Sequence, residues 1–273
     1  MVTARNNVHV FGKGSRPMLF AHGFGCDQNM WRFLTPAFEA NFKIVLFDYV
    51  GAGKSDLDYY DPIRYSSLSG YASDVLEICE ELHLREVVFV GHSVSSIVGL
   101  LASIERPELF SNLILVGPSP CYINDGSNYV GGFEKADIEG LLAMMDKNYM
   151  GWANYLAPAV MANADHPELS IELEQSFCST DPVIARQFAE VTFLSDSRND
   201  LPRVTTPSLI LQCSDDIIAP DEVGVYLSEK LANSVFMQME ATGHCPHMSH
   251  PEETIRLLKT YLDSMLTKGK SDV

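Results

Sequence analysis

Residues 86–101 read EVVFVGHSVSSIVGLL. A β-branched apolar run passes through Gly91, His92 and Ser93 directly into a helix-patterned segment, so the chain turns from strand to helix within about three residues. A serine on such a turn is held at strained backbone angles with its Oγ exposed, which makes Ser93 the candidate nucleophile. Strand and helix pack closely there, so the residues two before and two after the serine must be small. Gly91 satisfies this, and Ser95 stands where glycine is usual but is still small. The plain alternative is a serine capping the helix that follows.

Outward from this stretch the same grammar repeats. Short apolar runs at 17–21, 43–47, 112–117, 207–213 and 235–240 alternate with helical patterns at 71–83, 95–110 and 252–266. Continuously apolar strands separated by helices predict an α/β protein with a mostly parallel central sheet covered on both faces. Between about 131 and 195 the strand signal disappears. Helical segments near 134–146, 148–162, 167–177 and 182–195 replace it, punctuated by Pro158, Pro167 and Pro182. The expected division is a core of 1–130 and 196–273, with a four-helix lid of 131–195 over the C-terminal edge of the sheet, where ligands bind in open α/β folds.

A serine hydroxyl needs a base to take its proton and a third group to orient that base. The run SLILQC ends in SDDIIAP, which offers Asp215 and Asp216, and the next strand, VFMQME, is followed by ATGHCPHMSHP. Acid and histidine would thus leave consecutive strands on the same sheet edge as Ser93. The first strand ends in AHGFGCD, whose glycines let the Phe24 amide turn toward a developing oxyanion beside the amide of Val94. His22 reads as a residue that hydrogen-bonds this loop. DYVGAGKSD resembles a phosphate loop only superficially, because Asp48 occupies the position of the first glycine, and Asp48 reads as a turn residue.

TGHCPHMSHP places His244, Cys245, His247 and His250 within seven residues. Zinc would need three or four convergent ligands, whereas a nucleophile and an acid elsewhere in the chain require one histidine, and His244 is best placed for that role. No metal or cofactor is expected. The six cysteines form no C-x-x-C pair and read as reduced, buried thiols.

Nineteen basic against 36 acidic residues leave a net charge of −17, which repels phosphate backbones and anionic lipid surfaces. Nucleic-acid and membrane partners are therefore not expected. The N-terminus has no apolar signal region and no run of about 18 apolar residues occurs, so the expected location is cytoplasmic.

HGFG, DYVGAGKSD, GHSVSS, DDIIAP and GHCPHMSHPEE, in this order and spacing, resemble the α/β-hydrolase superfamily across the whole chain. Longer stretches, FAHGFGCDQNMW, VGPSPCYIND, FCSTDPVIARQFA and QMEATGHCPHMSHP, are similar to the RsbQ group of bacterial stress-response regulators, whose plant relatives are the karrikin and strigolactone receptors. The resemblance implies the α/β-hydrolase fold, with Ser93 as nucleophile, His244 as base and the Phe24 and Val94 amides as oxyanion donors. It places the acid on Asp216, four residues before Pro220. It also implies a signalling hydrolase that binds and cleaves a small apolar ester or lactone, and acts through a PAS-domain phosphatase in a sigma-B stress pathway. A metabolic carboxylesterase or lactonase and a non-catalytic ligand-binding protein are the alternatives. Phe24, Phe133, Trp152, Phe188, Phe193 and Ile218 are the candidate lining of the apolar pocket.

Overall fold

The computed structural model describes residues 1–271. In chain order the elements are α1 (Val2–Arg5), β1 (His9–Phe11), β2 (Arg16–Ala21), β3 (Phe42–Leu46), α2 (Leu68–Glu81), β4 (Val87–His92), α3 (Val94–Glu105) and β5 (Phe110–Val116). There follow α4 (Lys135–Lys147), α5 (Tyr149–Met161), α6 (Pro167–Ser179), α7 (Pro182–Phe193), β6 (Ser208–Ser214), α8 (Asp221–Lys230), β7 (Ser234–Thr242), α9 (Pro246–Ser249) and α10 (Pro251–Ser271). The strands form one seven-stranded sheet in the order β1-β3-β2-β4-β5-β6-β7, parallel throughout except for β1, which runs antiparallel to β3.

The central strands carry unbroken apolar runs, such as Val87–Val90 and Leu113–Val116, because both sheet faces are covered. Successive side chains point to opposite faces, and the core divides accordingly. Met18, Phe20, Val88, Val90, Ile114 and Val116 join one cluster with Trp31, Trp152 and Leu258. Leu19, Ala21, Val87, Phe89, Leu113 and Leu115 join the other, with residues of α2, α3 and α8. Gly99 of α3 lies against the Phe89 ring and Gly91 against the Ser95 carbonyl, so an added methyl at either would overlap its neighbour. Small residues thus let α3 lie close on β4.

The expected pattern departs from the structure at several places in this frame, with α1 and α8 absent from it altogether. The helix expected over 95–110 stops at Glu105, and a 3-10 turn, Pro107–Leu109, leads into β5, which starts two residues earlier than expected. The proline ring disfavours helical angles at Arg106, which sits at φ −135, ψ 69. β1 carries no apolar run because its three residues are exposed on an edge strand.

Four helices, α4 to α7, lie between β5 and β6 in the chain. α5 packs on α6, and α4 packs on α5 and α7. Asp181 caps α7 by accepting from the Val183 and Ile184 amides, with Pro182 at its first position. The block is fastened to the sheet end by a two-pronged ion pair, Arg32 to Glu172, both bonds 2.7 Å. No helix among the described residues is long and apolar enough to cross a membrane.

Candidate active site

β4 ends at His92, and Ser93 adopts φ 56, ψ −124 at the head of α3. Positive φ is costly for a residue with a Cβ. The conformation is held by the Ser93 amide, which donates to the Val116 carbonyl of β5 at 2.8 Å. Ser95 exploits its departure from glycine: its hydroxyl donates to the His22 carbonyl and accepts from the Tyr49 hydroxyl at 3.0 Å, joining the elbow to two neighbouring loops.

Asp216 and His244 arrive from the ends of β6 and β7. After β6, Asp215 turns the chain at φ 54 and is exposed, while Asp216 is buried. One Asp216 oxygen accepts from the amides of Ile218 and Ala219 at 2.9 and 3.2 Å. The other lies 2.7 Å from His244 Nδ1, and His244 Nε2 lies 2.7 Å from Ser93 Oγ. Since the carboxylate can only accept, Nδ1 carries the proton and Nε2 is free to accept from the serine hydroxyl. Of the two adjacent acids, only Asp216 is within reach.

The loop carrying His244 is held from both sides. His92 Nε2 donates to the His244 carbonyl at 2.7 Å, and the His244 amide donates to the Val160 carbonyl of α5 at 2.8 Å. Gly243 has φ 77, and a Cβ there would overlap the Met161 carbonyl oxygen. Burial lowers the His92 pKa well below the ordinary imidazole value, and pushes His247 down to about 3. His247 packs between the rings of Trp31 and His92, at centroid distances of 4.7 and 4.4 Å. Cys245 is buried too, whereas His250 faces Ser249. The members of the sequence cluster thus take different parts, His244 and His247 both packing against His92, and among the described residues no three His, Cys, Asp or Glu side chains are grouped to hold a metal.

The amides of Phe24 and Val94 donate to no other protein group among the described residues. His22 serves its loop: its Nδ1 donates to the Gly23 carbonyl at 2.9 Å, and its Nε2 accepts from the Tyr49 amide at 3.2 Å. Burial lowers its pKa. Asp48 accepts from the amides of Gln28 and Lys54 and from the Asn7 side chain, and so organises a turn.

A small cavity of about 30 Å³ opens beside Ser93 and His244, walled by Phe24, Leu156, Phe177, Phe193, Ile218 and Cys245 among others. Three residues expected in its lining are elsewhere. Trp152 stacks on Tyr149 and meets Phe24 edge-on from behind, Phe188 stacks on Tyr71, and Phe133 packs against the core near Ile123. Each satisfies a helical or loop pattern in the sequence, but the packing of the four helices decides which ring faces the cavity. Conversely, Tyr122 was not foreseen: its hydroxyl is 3.5 Å from Ser93 Oγ, and burial raises its pKa to about 12. It sits in an irregular segment after β5, where no periodicity indicates direction.

The alpha/beta hydrolase family model matches residues 18–257. The chain is 41% identical over 246 residues to the strigolactone esterase RMS3 of Pisum sativum, spanning 90% of this chain and 92% of that protein. It is 39% identical to karrikin insensitive 2 receptor CA of Petunia hybrida, spanning 96% and 97%. In three dimensions it is similar to a hydrolase from Oleispira antarctica, with a TM-score of 0.94, 49% identity and 96% of each chain covered. With its elbow, its parallel sheet and a family match over most of its length, the chain belongs to the alpha/beta hydrolase family.

Proposed function

We propose that this protein is a serine hydrolase that binds a small apolar ester or lactone and cleaves it by acyl transfer, with residues 131–195 acting as a lid. The observation that carries this reading is the unbroken chain Asp216, His244, Ser93, closed by two 2.7 Å hydrogen bonds on a strained turn. Ser93 Oγ attacks the carbonyl carbon as His244 Nε2 takes its proton. Asp216 stabilises the resulting imidazolium, and the amides of Phe24 and Val94 bind the oxyanion. His244 then returns the proton to the leaving oxygen, and water, activated in the same way, releases the acid. Tyr122, beside Ser93 Oγ, is suited to orient the serine hydroxyl before attack.

Signalling use of the site gains support from relatives of which one is named an esterase and another a receptor. The sigma-B pathway and its PAS-domain phosphatase rest on sequence resemblance alone. The deciding experiment is labelling by a serine-directed fluorophosphonate with turnover of p-nitrophenyl acetate. Both are expected in the native protein and absent in Ser93→Ala. Undiminished labelling of that variant would remove Ser93 from the mechanism.

A further inference from the structure

Two cavities meet at one side chain. The first opens on Ser93 and His244. The second, of about 10 Å³, lies beneath the start of α7, enclosed by Tyr49, Val50, Gly51, Tyr71, Ala185 and Phe188. Phe24 alone, among the described residues, lines both. Its ring is the partition.

The partition is less tightly enclosed than its surroundings. Phe24 is partly exposed, whereas Trp152, Phe177, Phe188 and Phe193, whose ring centroids lie 5.5 to 6.1 Å from its own, are buried. Neither cavity alone exceeds roughly the volume of one water, so side chains must shift before a substrate enters. Outward rotation of the Phe24 ring would join them and add the space the ring had filled.

Gly51, from the DYVGAGKSD segment, sits at φ 102 and lets the Ile184 side chain close the chamber wall directly on backbone, since a Cβ there would collide with Ile184. One feature marks the chamber as a recess for a ligand. The Tyr71 side chain is 1% exposed, yet its hydroxyl has no hydrogen-bond partner. A buried hydroxyl without a partner is costly, and a ligand oxygen would relieve that cost.

Resting on the hydrolase reading above, we infer that the chamber behind Phe24 is an acyl subsite, which takes a short apolar chain bearing a carbonyl or ether oxygen that accepts from the Tyr71 hydroxyl. The polarity of the site fixes which half of the substrate goes there. His244 must hand a proton to the leaving oxygen, so the leaving group lies on the His244 side. The acyl substituent then points away from His244, toward Phe24.

The test compares p-nitrophenyl acetate with p-nitrophenyl levulinate, and measures binding of levulinamide, which is not cleaved, by calorimetry. Ala185→Leu fills the chamber, and Tyr71→Phe removes its donor with almost no change in shape. Each is expected to lower the levulinate-to-acetate ratio of kcat/KM by roughly tenfold, to weaken levulinamide binding by a similar factor, and to leave acetate turnover intact. If either variant keeps both the ratio and the levulinamide affinity within twofold of the native values, the subsite is refuted. Loss of acetate and levulinate turnover in equal proportion would refute it as well. Should the native protein cleave no ester, the hydrolase reading falls, while loss of levulinamide affinity in both variants would still support the chamber.

Discussion

At the residue scale, the site depends on a few atoms whose protonation and direction are set by their neighbours. Asp216→Asn should preserve the contacts but allow the amide to present a donor to His244 Nδ1, reversing the tautomer that leaves Nε2 free. Ester turnover is expected to fall by about 10⁴-fold with little change in thermal stability, as read from kcat and a melting curve. Tyr122→Phe removes the hydroxyl beside Ser93 Oγ. Because the His244 bond is shorter and better placed, a loss of only about tenfold in kcat is expected, a modest cost for one uncharged hydrogen bond. A loss comparable to that of Asp216→Asn would instead give Tyr122 a direct part in proton transfer.

Between residues and the whole molecule, the helical block grips the loops that carry the chemistry. The Ser176 hydroxyl of α6 donates to the Gly25 carbonyl at 2.7 Å, Asn163 donates to the Thr242 carbonyl at 3.1 Å, and α5 receives the His244 amide. These bonds tie α6 and the end of α5 to the Phe24 loop and to the His244 backbone, the proposed oxyanion loop and base. Gly243→Ala forces a Cβ onto the Met161 carbonyl at a positive φ. It should cost roughly 1–3 kcal/mol, measured by urea unfolding, and should lower kcat because His244 moves with its backbone. Arg32→Ala should do the opposite kind of damage, at about 0.5 kcal/mol for a partly exposed ion pair. Its signature is faster amide hydrogen exchange across α6, with the triad geometry unaffected.

On the scale of the whole molecule, stability should decline in mild acid. His92 and His247 are buried and kept neutral, so their folded pKa values lie below the unfolded value of about 6.5. Below that pH the unfolded chain binds protons that the folded chain refuses. The stabilisation is complete above about pH 6.5 and is lost as pH falls toward the folded values, at up to about 1.4 kcal/mol per pH unit for each histidine. Urea midpoints between pH 7.5 and 5 should show this decline. His247→Phe, which keeps a ring between Trp31 and His92, should make the slope shallower; an unchanged slope would assign the acid sensitivity elsewhere.

Much of this was legible before any coordinates. Continuous apolar runs and helical stretches between them are local properties, and local geometry is what a strand-turn-helix serine requires, so the parallel sheet and the position of Ser93 could be read from the chain itself. Chain order narrowed the acid to Asp215 or Asp216 and the base to His244. Direction was another matter. Whether Asp215 or Asp216 faces the imidazole depends on one left-handed residue after β6, and the resemblance to known hydrolases, rather than spacing, favoured Asp216. The proximity of Tyr122, the retreat of Trp152, Phe133 and Phe188 from the catalytic cavity, and the partition formed by Phe24 arise from contacts between segments far apart in sequence. A helix face or an irregular loop leaves a ring's partner open, and only the close packing of four helices against the end of the sheet decides it.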